Sequence, residues 1–167
     1  MVMDGEIDIP LDAAVFSDTE EEPDAVYKHL EWMKSLGGPP IVTVGAGKLG
    51  DDLMNGRKST ACRVASIPAY TAVQEGQPLG IVQRQCTKEY KIEPIERWIR
   101  RELLGLQPKQ HIPADVLIHQ YIGFSRDEPG RAAKARLRFA QVRWGEVHFP
   151  LFEEEMTRRD CTVNGGG

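Results

Sequence analysis

Two short apolar segments with one amphipathic helix between them place the tightest constraint on how this chain can fold. Residues 11–17 form an apolar run bounded by a proline and an aspartate, which is typical of a buried parallel strand. A helical spacing of apolar residues then begins near Pro23 and ends at glycines 37–38. Residues 41–44 form a second apolar run. Strand, helix and strand in this order are the crossover unit of a parallel sheet, so the sequence predicts an α/β fold.

The second half of the chain shows the same alternation. The most regular helix is predicted over residues 94–104, where Pro94 suits the first turn and apolar residues recur at helical spacing. A strand over residues 116–122, a helix over residues 129–140 and a short strand over residues 147–149 follow.

The segment between these halves, residues 45–80, is harder to assign. Glycines and prolines interrupt every apolar period longer than about two turns. A short helix is expected over residues 48–54, and the remainder is predicted to be an extended loop. All of these elements fall in one predicted domain, residues 1–163, which is followed by a flexible glycine-rich tail at residues 164–167.

Composition limits the class of protein. A chain of 167 residues with 41% hydrophobic residues can build one core. The net charge of −4 argues against nucleic-acid binding by the whole surface. No apolar run approaches membrane-spanning length, and the acidic N-terminus lacks the pattern of a signal peptide. We therefore expect a cytoplasmic protein with no membrane partner.

The cysteines and histidines are few and widely spaced. Three cysteines, Cys62, Cys86 and Cys161, fit neither a disulfide framework nor a paired zinc motif. The four histidines show no metal-ligand spacing along the sequence. We expect reduced thiols and no metal site.

One cysteine lies among three cations just before the helix predicted at Pro94. Arg84, Lys88 and Lys91 surround Cys86 in the sequence. Backbone N–H groups at a helix start carry partial positive charge, so this segment suits a phosphate or sulfate, with Lys91 as the favoured contact. The same cations would favour the thiolate of Cys86 and make it reactive. The alternative is that Cys86 is a small buried residue at the boundary of an element.

Polar residues also follow the first and third predicted strands. Asp18 and Thr19 come after the first, and residues 125–128, which include Asp127 and Glu128, come after the third. Ligands bind at the carboxyl ends of strands in open α/β sheets, so we expect both loops to line one crevice. The alternatives are that Asp18 caps a helix or turn, and that Asp127 and Glu128 cap the helix that follows them.

The helix predicted at residues 129–140 carries a basic stripe. Arg131, Lys134 and Arg138 recur there at helical spacing. A solvated helix face explains such a stripe without a ligand.

Three segments, taken in order, resemble one known family. Residues 14–19 resemble a strand that ends in Asp-Thr-Gly. Residues 86–95 carry a cysteine, a lysine and a proline in the family's order, and residues 123–131 match the turn Gly-x-x-x-Asp-Glu-x-x-Arg. Together they resemble the phosphoadenosine phosphosulfate (PAPS) reductase family, in its phage and mobile-element branch, over residues 12–161.

The resemblance implies a Rossmann-like domain of the adenine nucleotide alpha-hydrolase type, in which helices flank a mostly parallel sheet. It implies binding of PAPS, adenosine phosphosulfate or ATP, with no certain cofactor beyond this nucleotide. The reaction would be reduction of the sulfonucleotide, with a thiol reductant such as thioredoxin, or attack at the alpha-phosphate. Cations would neutralise the charge of the transferring group. The predicted nucleotide-binding residues are Asp18, Thr19, Arg84, Lys88, Lys91, Asp127, Glu128 and Arg131.

The chain also departs from the family pattern at both ends. A strand and a Ser-Gly-Gly-x-Asp-Ser phosphate loop should precede Asp12, and residues 1–11 contain neither. The reductases' cysteine motif near the C-terminus is missing as well, and no nucleophile can be named. We therefore expect a family member cut at both ends, or one whose start codon lies further upstream. A sheet without its first strand exposes an edge, so a homodimer is expected.

Two other functions remain open. The first is a truncated, catalytically inactive domain that acts as a binding module. The second is a nucleic-acid modification subunit, which rests on the basic residues within 84–101 and 131–143. Salt-dependent DNA binding would favour the second function, whereas salt-tolerant binding of a single nucleotide would favour the PAPS reductase-like function.

Overall fold

The computed structural model describes residues 11–55 and 87–164, with side chains to residue 161, and the backbone of four short strands between residues 58 and 81. The chain divides into two compact units, Met1–Pro108 and Lys109–Gly167.

A strand, helix and strand open the first unit, as predicted. Strand β1 (Ala14–Asp18) lies parallel to β2 (Ile41–Gly45), and helix α1 (Asp24–Ser35) connects them. The register pairs Ala14 with Ile41 at one end and Asp18 with Gly45 at the other. Helix α1 starts after a proline, carries an acidic residue in its first turn and buries Leu30. The apolar spacing of the sequence and the residues at the helix ends therefore predict the same position for helix α1.

The segment after β2 is more structured than the sequence indicated. Helix α2 (Leu49–Met54) confirms the predicted short helix. The prediction of an extended loop beyond it is wrong at four short strands, because β3 (Lys58–Thr60) pairs antiparallel with β4 (Arg63–Val64), and β5 (Tyr70–Thr71) pairs antiparallel with β6 (Gly80–Ile81). The rest of residues 56–80 lies outside the described residues. Strands of two or three residues are too short to produce a recognisable alternation of apolar and polar residues.

The helix predicted from Pro94 begins seven residues earlier, so its predicted start is wrong. A continuous helix covers residues 87–103 and consists of a π-helical stretch (Thr87–Ile92), helix α3 (Glu93–Trp98) and a second π-helical stretch (Ile99–Leu103). We call it the 87–103 helix. Gly105 follows it with φ of +61°, a left-handed conformation that glycine adopts without strain.

Pro94 explains why the π-helical stretch lies where it does. A proline has no N–H and its ring clashes with the carbonyl four residues earlier, which here belongs to Tyr90. A wider π turn relieves that clash. The Tyr90 carbonyl instead accepts a hydrogen bond of 2.7 Å from Ser17 Oγ on β1. The helix is therefore hydrogen-bonded to the strand at the turn that precedes the proline.

The buried face of the 87–103 helix differs from the predicted apolar stripe, which consists of Ile92, Ile95, Ile99 and Leu103. Tyr90, Pro94 and Ile99 are buried, and the helix packs against β1 and β2. Leu103 was predicted to belong to the buried stripe, but its side chain is 46% exposed. The π-helical turns change the rotation per residue, so a stripe drawn with α-helical spacing drifts off the buried face.

The second unit repeats the parallel arrangement. Strands β7 (Ile118–Tyr121) and β8 (Gly145–His148) are parallel, and helix α4 (Pro129–Phe139) connects them, which confirms the three elements predicted there. Two short helices, α5 (Pro150–Glu153) and α6 (Arg158–Asn164), follow. The core of this unit includes Ala132, Phe139 and Phe149.

The predicted α/β class is confirmed by these parallel strand pairs and their connecting helices. Within the described part of the chain, no helix is both long and apolar enough to cross a bilayer.

Candidate functional site

Asp18 lies at the carboxyl end of β1, where its carboxylate is already engaged. Its Oδ1 accepts hydrogen bonds from the Glu20 backbone N–H at 2.8 Å and from the Tyr27 hydroxyl at 2.9 Å. A side chain that accepts from the N–H two residues on stabilises a turn. The neighbouring residue Gly45 is tightly placed, because a Cβ there would lie 3.1 Å from the Asp18 carbonyl. Asp18 thus shapes the end of the strand pair, in agreement with the turn-capping alternative.

Tyr27 responds to this environment. Burial of its hydroxyl, together with the hydrogen bond to Asp18 and the negative charge of that carboxylate, raises the pKa of Tyr27 above its usual 10.0. The neutral phenol is the form that holds the Asp18 turn in place.

Thr19 is the most buried polar residue of this turn. Its side chain is 6% exposed, and its Oγ1 donates to Glu22 Oε1 at 3.2 Å. Its carbonyl accepts from the backbone N–H of Leu49, at the start of α2. Thr19 therefore joins the end of β1 to the beginning of the next helix.

Lys91 reaches the same turn from the 87–103 helix. Its Nζ donates to Glu22 Oε1 at 2.9 Å, so Glu22 Oε1 accepts hydrogen bonds from both Lys91 and Thr19. We call Asp18, Thr19, Glu22 and Lys91 the strand-end cluster. The ion pair joins residues far apart in sequence, and no local pattern indicates it. Three of its members were predicted as ligand contacts, and Glu22 was not.

Lys88, a further member of the predicted anion site, does not join this cluster. Lys88 is exposed, and its Nζ lies 3.8 Å from Glu93 Oε1. The site was predicted at a helix start, and Lys88 lies in the first turn of the 87–103 helix, with Lys91 in the next turn. Arg84 and Cys86 lie outside the described residues, so the predicted reactive thiol stays a prediction.

An open cleft of about 240 Å³ lies at the carboxyl end of β2. The 87–103 helix supplies its second wall, on which Arg97 and Arg101 stand four residues apart on one face. Arg101 Nη1 donates to the Leu106 carbonyl at 2.9 Å. Sequence reasoning counted both arginines among the basic residues within 84–101 that would favour nucleic-acid binding, and did not include them in the nucleotide site. The cleft is lined by Val44, Gly45, Pro94, Arg97, Trp98, Arg101 and Glu102.

The second unit holds the predicted acidic turn. Glu128 Oε1 accepts a short hydrogen bond from Arg131, three residues along, and Arg131 also lies over the Phe124 ring at 4.5 Å. The hydrogen bond from Arg131 lowers the pKa of Glu128 below 4.5, and the positive charge of Arg131 acts in the same direction. Glu128 directly precedes α4, but its side chain makes no capping hydrogen bond there, so the expected capping by Glu128 is not observed.

Asp127 caps a different helix from the one expected. Its Oδ2 accepts from the backbone N–H of Arg158 at 2.7 Å, which satisfies a donor at the start of α6. Asp160 completes that helix start, because its Oδ2 accepts from the Thr157 N–H at 2.9 Å. The expectation that Asp127 caps the helix at Pro129 is therefore wrong. Its actual partner lies 31 residues away.

The predicted site residues are thus divided between the two units. Asp18, Thr19 and Lys91 lie in the first, and Asp127, Glu128 and Arg131 lie in the second. That both loops line one crevice stays a prediction.

Two of the histidines are brought together although the sequence shows them 29 residues apart. His119 on β7 and His148 on β8 are neighbours in the second unit, and Glu146 lies beside them. Sequence reasoning missed this group because ligand-spacing motifs describe one segment, whereas these residues come from two strands.

The strand-end cluster offers a cation, a hydroxyl and a carboxylate at the ends of two parallel strands, next to a cleft with two arginines. This combination suits binding and orientation of a polar ligand. No protein-family model matches the chain, and comparisons with curated proteins and with solved structures give no match.

Proposed function

We propose that this chain binds an adenylyl nucleotide at the carboxyl ends of β1 and β2, as a Rossmann-like, PAPS reductase-like protein. The observation that carries the proposal is the convergence of Lys91 on the Asp18–Thr19 turn through Glu22. The three segments that resemble the PAPS reductase family include all three of these ligand candidates.

The position of the cluster supports a nucleotide site. Ligands of open α/β proteins bind outside the carboxyl ends of parallel strands, and Asp18 pairs with Gly45 at that end of the ladder. The adjoining cleft carries an apolar surface from Pro94 and Trp98. Pairing of an aromatic surface with nearby cations suits a ligand that has a base at one end and phosphates at the other.

Binding would exchange the partner of Lys91. The Lys91 side chain is 48% exposed and that of Glu22 is 23% exposed, and pairs that water reaches contribute about 0–1 kcal/mol. A phosphate or sulfate can therefore take Lys91 from Glu22 at small cost, with Arg97 as a second cation at the cleft. Stabilisation of the charge that develops on the transferring group is what these cations would contribute to sulfonucleotide reduction or to attack at the alpha-phosphate.

A non-catalytic binding module is the second candidate. The Lys91–Glu22 pair favours it, because a cation neutralised by a carboxylate 2.9 Å away is not pre-set for an anion. Acidic residues also surround the turn, with Glu20 and Glu21 beside Glu22. In this account the cluster holds β1 to the 87–103 helix.

Thermal unfolding with and without millimolar PAPS, adenosine phosphosulfate and ATP separates these candidates. A ligand that binds only the native state adds RT ln(1 + [L]/Kd), which is about 2.7 kcal/mol at a hundredfold excess over Kd. We expect a clear rise in Tm with at least one nucleotide, and loss of that rise in Lys91→Ala.

Lys34→Ala is the matched control. Lys34 is also paired with a glutamate, Glu31 at 2.7 Å, but it lies in the last turn of α1, away from the carboxyl ends of the strands. Lys34→Ala should retain the full nucleotide shift. A folded protein with no shift for any nucleotide would contradict nucleotide binding and leave the binding module, and an equal loss in both variants would show that Lys91 has no specific part.

A further inference from the structure

The parallel ladder of the second unit gathers histidines and a glutamate on one sheet face. His119 on β7 lies opposite Glu146 on β8, and Tyr121 lies opposite His148. Residues two apart on a strand point to the same face, so all four side chains share it. The opposite face is covered by α4, since a Cβ at Gly145 would lie 3.3 Å from the Phe139 ring.

Three potential ligand atoms converge on this face. His119 Nδ1 lies 2.9 Å from His148 Nε2 and 3.6 Å from Glu146 Oε2. All three ligand atoms lie within 4.8 Å of one another. Two ligands of one transition-metal ion lie at most about 4.2 Å apart, because each bond is about 2.0–2.2 Å long. Small side-chain rotations that move the ligand atoms by a few tenths of an ångström therefore suffice to place one ion among the three.

The ligand types indicate which ions suit the group. Imidazole nitrogens with a carboxylate oxygen are ligands that Ni²⁺, Cu²⁺ and Zn²⁺ accept, whereas Mg²⁺ and Ca²⁺ prefer oxygen ligands. The 2.9 Å between the two nitrogens is close to the ligand spacing around such an ion, which is about 2.9 Å at an angle of 90° and about 3.3 Å at a tetrahedral angle.

The surroundings hold the imidazoles while leaving access from solvent. The Tyr121 ring stacks on His148 with centroids 4.9 Å apart and planes inclined by 23°. The side chains of His119 and Glu146 are 47% and 53% exposed, so an ion can enter from water and keep water at its remaining positions. Three protein ligands with an open position are typical of sites that bind a further ligand.

The geometry points to a binding site for one divalent transition-metal ion, with His119 Nδ1, His148 Nε2 and Glu146 Oε2 as ligands. A hydrogen bond between the two imidazoles has the same length of 2.9 Å, and saturable metal binding that depends on both histidines separates the two accounts. Imidazole is the ligand that these ions prefer, and the carboxylate lowers their net charge. This site is independent of nucleotide binding in the first unit.

Isothermal titration of the full-length chain, without a histidine tag and after treatment with a chelator, tests the site. Ni²⁺ is the probe, because Cu²⁺ would oxidise the thiols. We expect one equivalent to bind, and His119→Ala and His148→Ala each to weaken binding at least about tenfold, since even loss of an outer partner of a metal ligand costs that much. Glu146→Gln should also weaken binding, while His111→Ala, another exposed histidine of the same unit, should not.

The remaining measurements guard against a general loss of structure. Far-UV circular dichroism and Tm without metal should match the wild type in every variant, because the substituted side chains are accessible to solvent. Mg²⁺ should give no comparable heat, because it prefers oxygen ligands in octahedral geometry. Absence of saturable Ni²⁺ binding by the wild type, equal binding by the His119→Ala/His148→Ala double variant, or Mg²⁺ binding of similar strength would overturn the proposal.

Discussion

The hydrogen bond between Tyr27 and Asp18 shows how one residue adjusts the end of a strand. The hydroxyl donates to the carboxylate at 2.9 Å, and that same carboxylate holds the Glu20 N–H. Ionisation of Tyr27 would place two negative charges in contact. The neutral phenol is therefore favoured, which is why the pKa of Tyr27 is raised by burial and by Asp18.

This shift predicts how stability depends on pH. Because the pKa of Tyr27 is higher in the folded state than its unfolded value of 10.0, its contribution is fully present below pH 10.0 and is lost as the pH rises through the folded value. Urea unfolding from pH 9 to 12 should show a smaller alkaline loss of stability in Tyr27→Phe than in the wild type. Asp18→Asn keeps an acceptor oxygen without its charge, so it should lower the pKa of Tyr27 part of the way, as followed by tyrosinate absorbance. Identical alkaline profiles for wild type and Tyr27→Phe would contradict the shift.

Local sequence patterns identified several residues of the strand-end cluster, but they did not identify the residues that these side chains contact. Asp18, Thr19 and Lys91 were identified from motif and charge. Glu22, which joins Thr19 to Lys91, lies 69 residues from Lys91 in the sequence. Such a pair depends on how the 87–103 helix packs on β1, and packing is not encoded in the spacing of either segment alone.

At the scale of elements, a hydrogen bond at the helix turn before Pro94 connects the 87–103 helix to β1. The proline removes the N–H that would bond to the Tyr90 carbonyl, and Ser17 Oγ donates to that carbonyl instead at 2.7 Å. A hydrogen bond of this kind contributes about 1 kcal/mol to stability. The serine therefore compensates a defect that the proline introduces.

Ser17→Ala should destabilise the chain by about 1 kcal/mol, as measured by urea unfolding, because the hydrogen bond from Ser17 Oγ to the Tyr90 carbonyl is lost. Ser35→Ala provides a matched comparison, since Ser35 Oγ donates to the Trp32 carbonyl at 2.6 Å in an exposed position where water can replace it. Its effect should stay within about 0.5 kcal/mol. Equal effects of the two substitutions would show that the contact between strand and helix contributes nothing specific.

Elements with strong local signals were predicted well. Helix α1 and strands β1 and β2 follow from the apolar period and from the prolines and glycines at their ends. The start of the 87–103 helix was predicted too late, because Pro94 looks like a first-turn residue in sequence. In the structure a π-helical turn accommodates it inside a longer helix.

At the scale of the whole molecule, each compact unit depends on a small core. Phe149 is 0% exposed and stacks on Phe124 with centroids 5.6 Å apart. A unit as small as Lys109–Gly167 has only a few kcal/mol of stability to lose. Burial of the Phe149 side chain therefore provides a large part of the stability of this unit.

Phe149→Ala should cost about 3–5 kcal/mol, which would unfold this unit at room temperature. Loss of near-UV circular dichroism and of peak dispersion for residues after Pro108 in an NMR spectrum would show it. Leu137→Ala is the comparison, because Leu137 is 70% exposed and should change stability by less than about 0.5 kcal/mol. A native-like spectrum for Phe149→Ala would mean that the core of this unit lies elsewhere.

The sequence by itself determined the α/β class, the two crossover units and the strand ends at which polar residues collect. These features follow from local periods of about 2 and 3.6 residues and from the turn residues that interrupt them. Tertiary structure alone decided that Glu22 pairs with Lys91, that Asp127 caps α6 and that His119 lies beside His148 and Glu146. Each of these contacts joins residues remote in sequence, and the packing of complete elements, rather than any local pattern, brings them within hydrogen-bond distance.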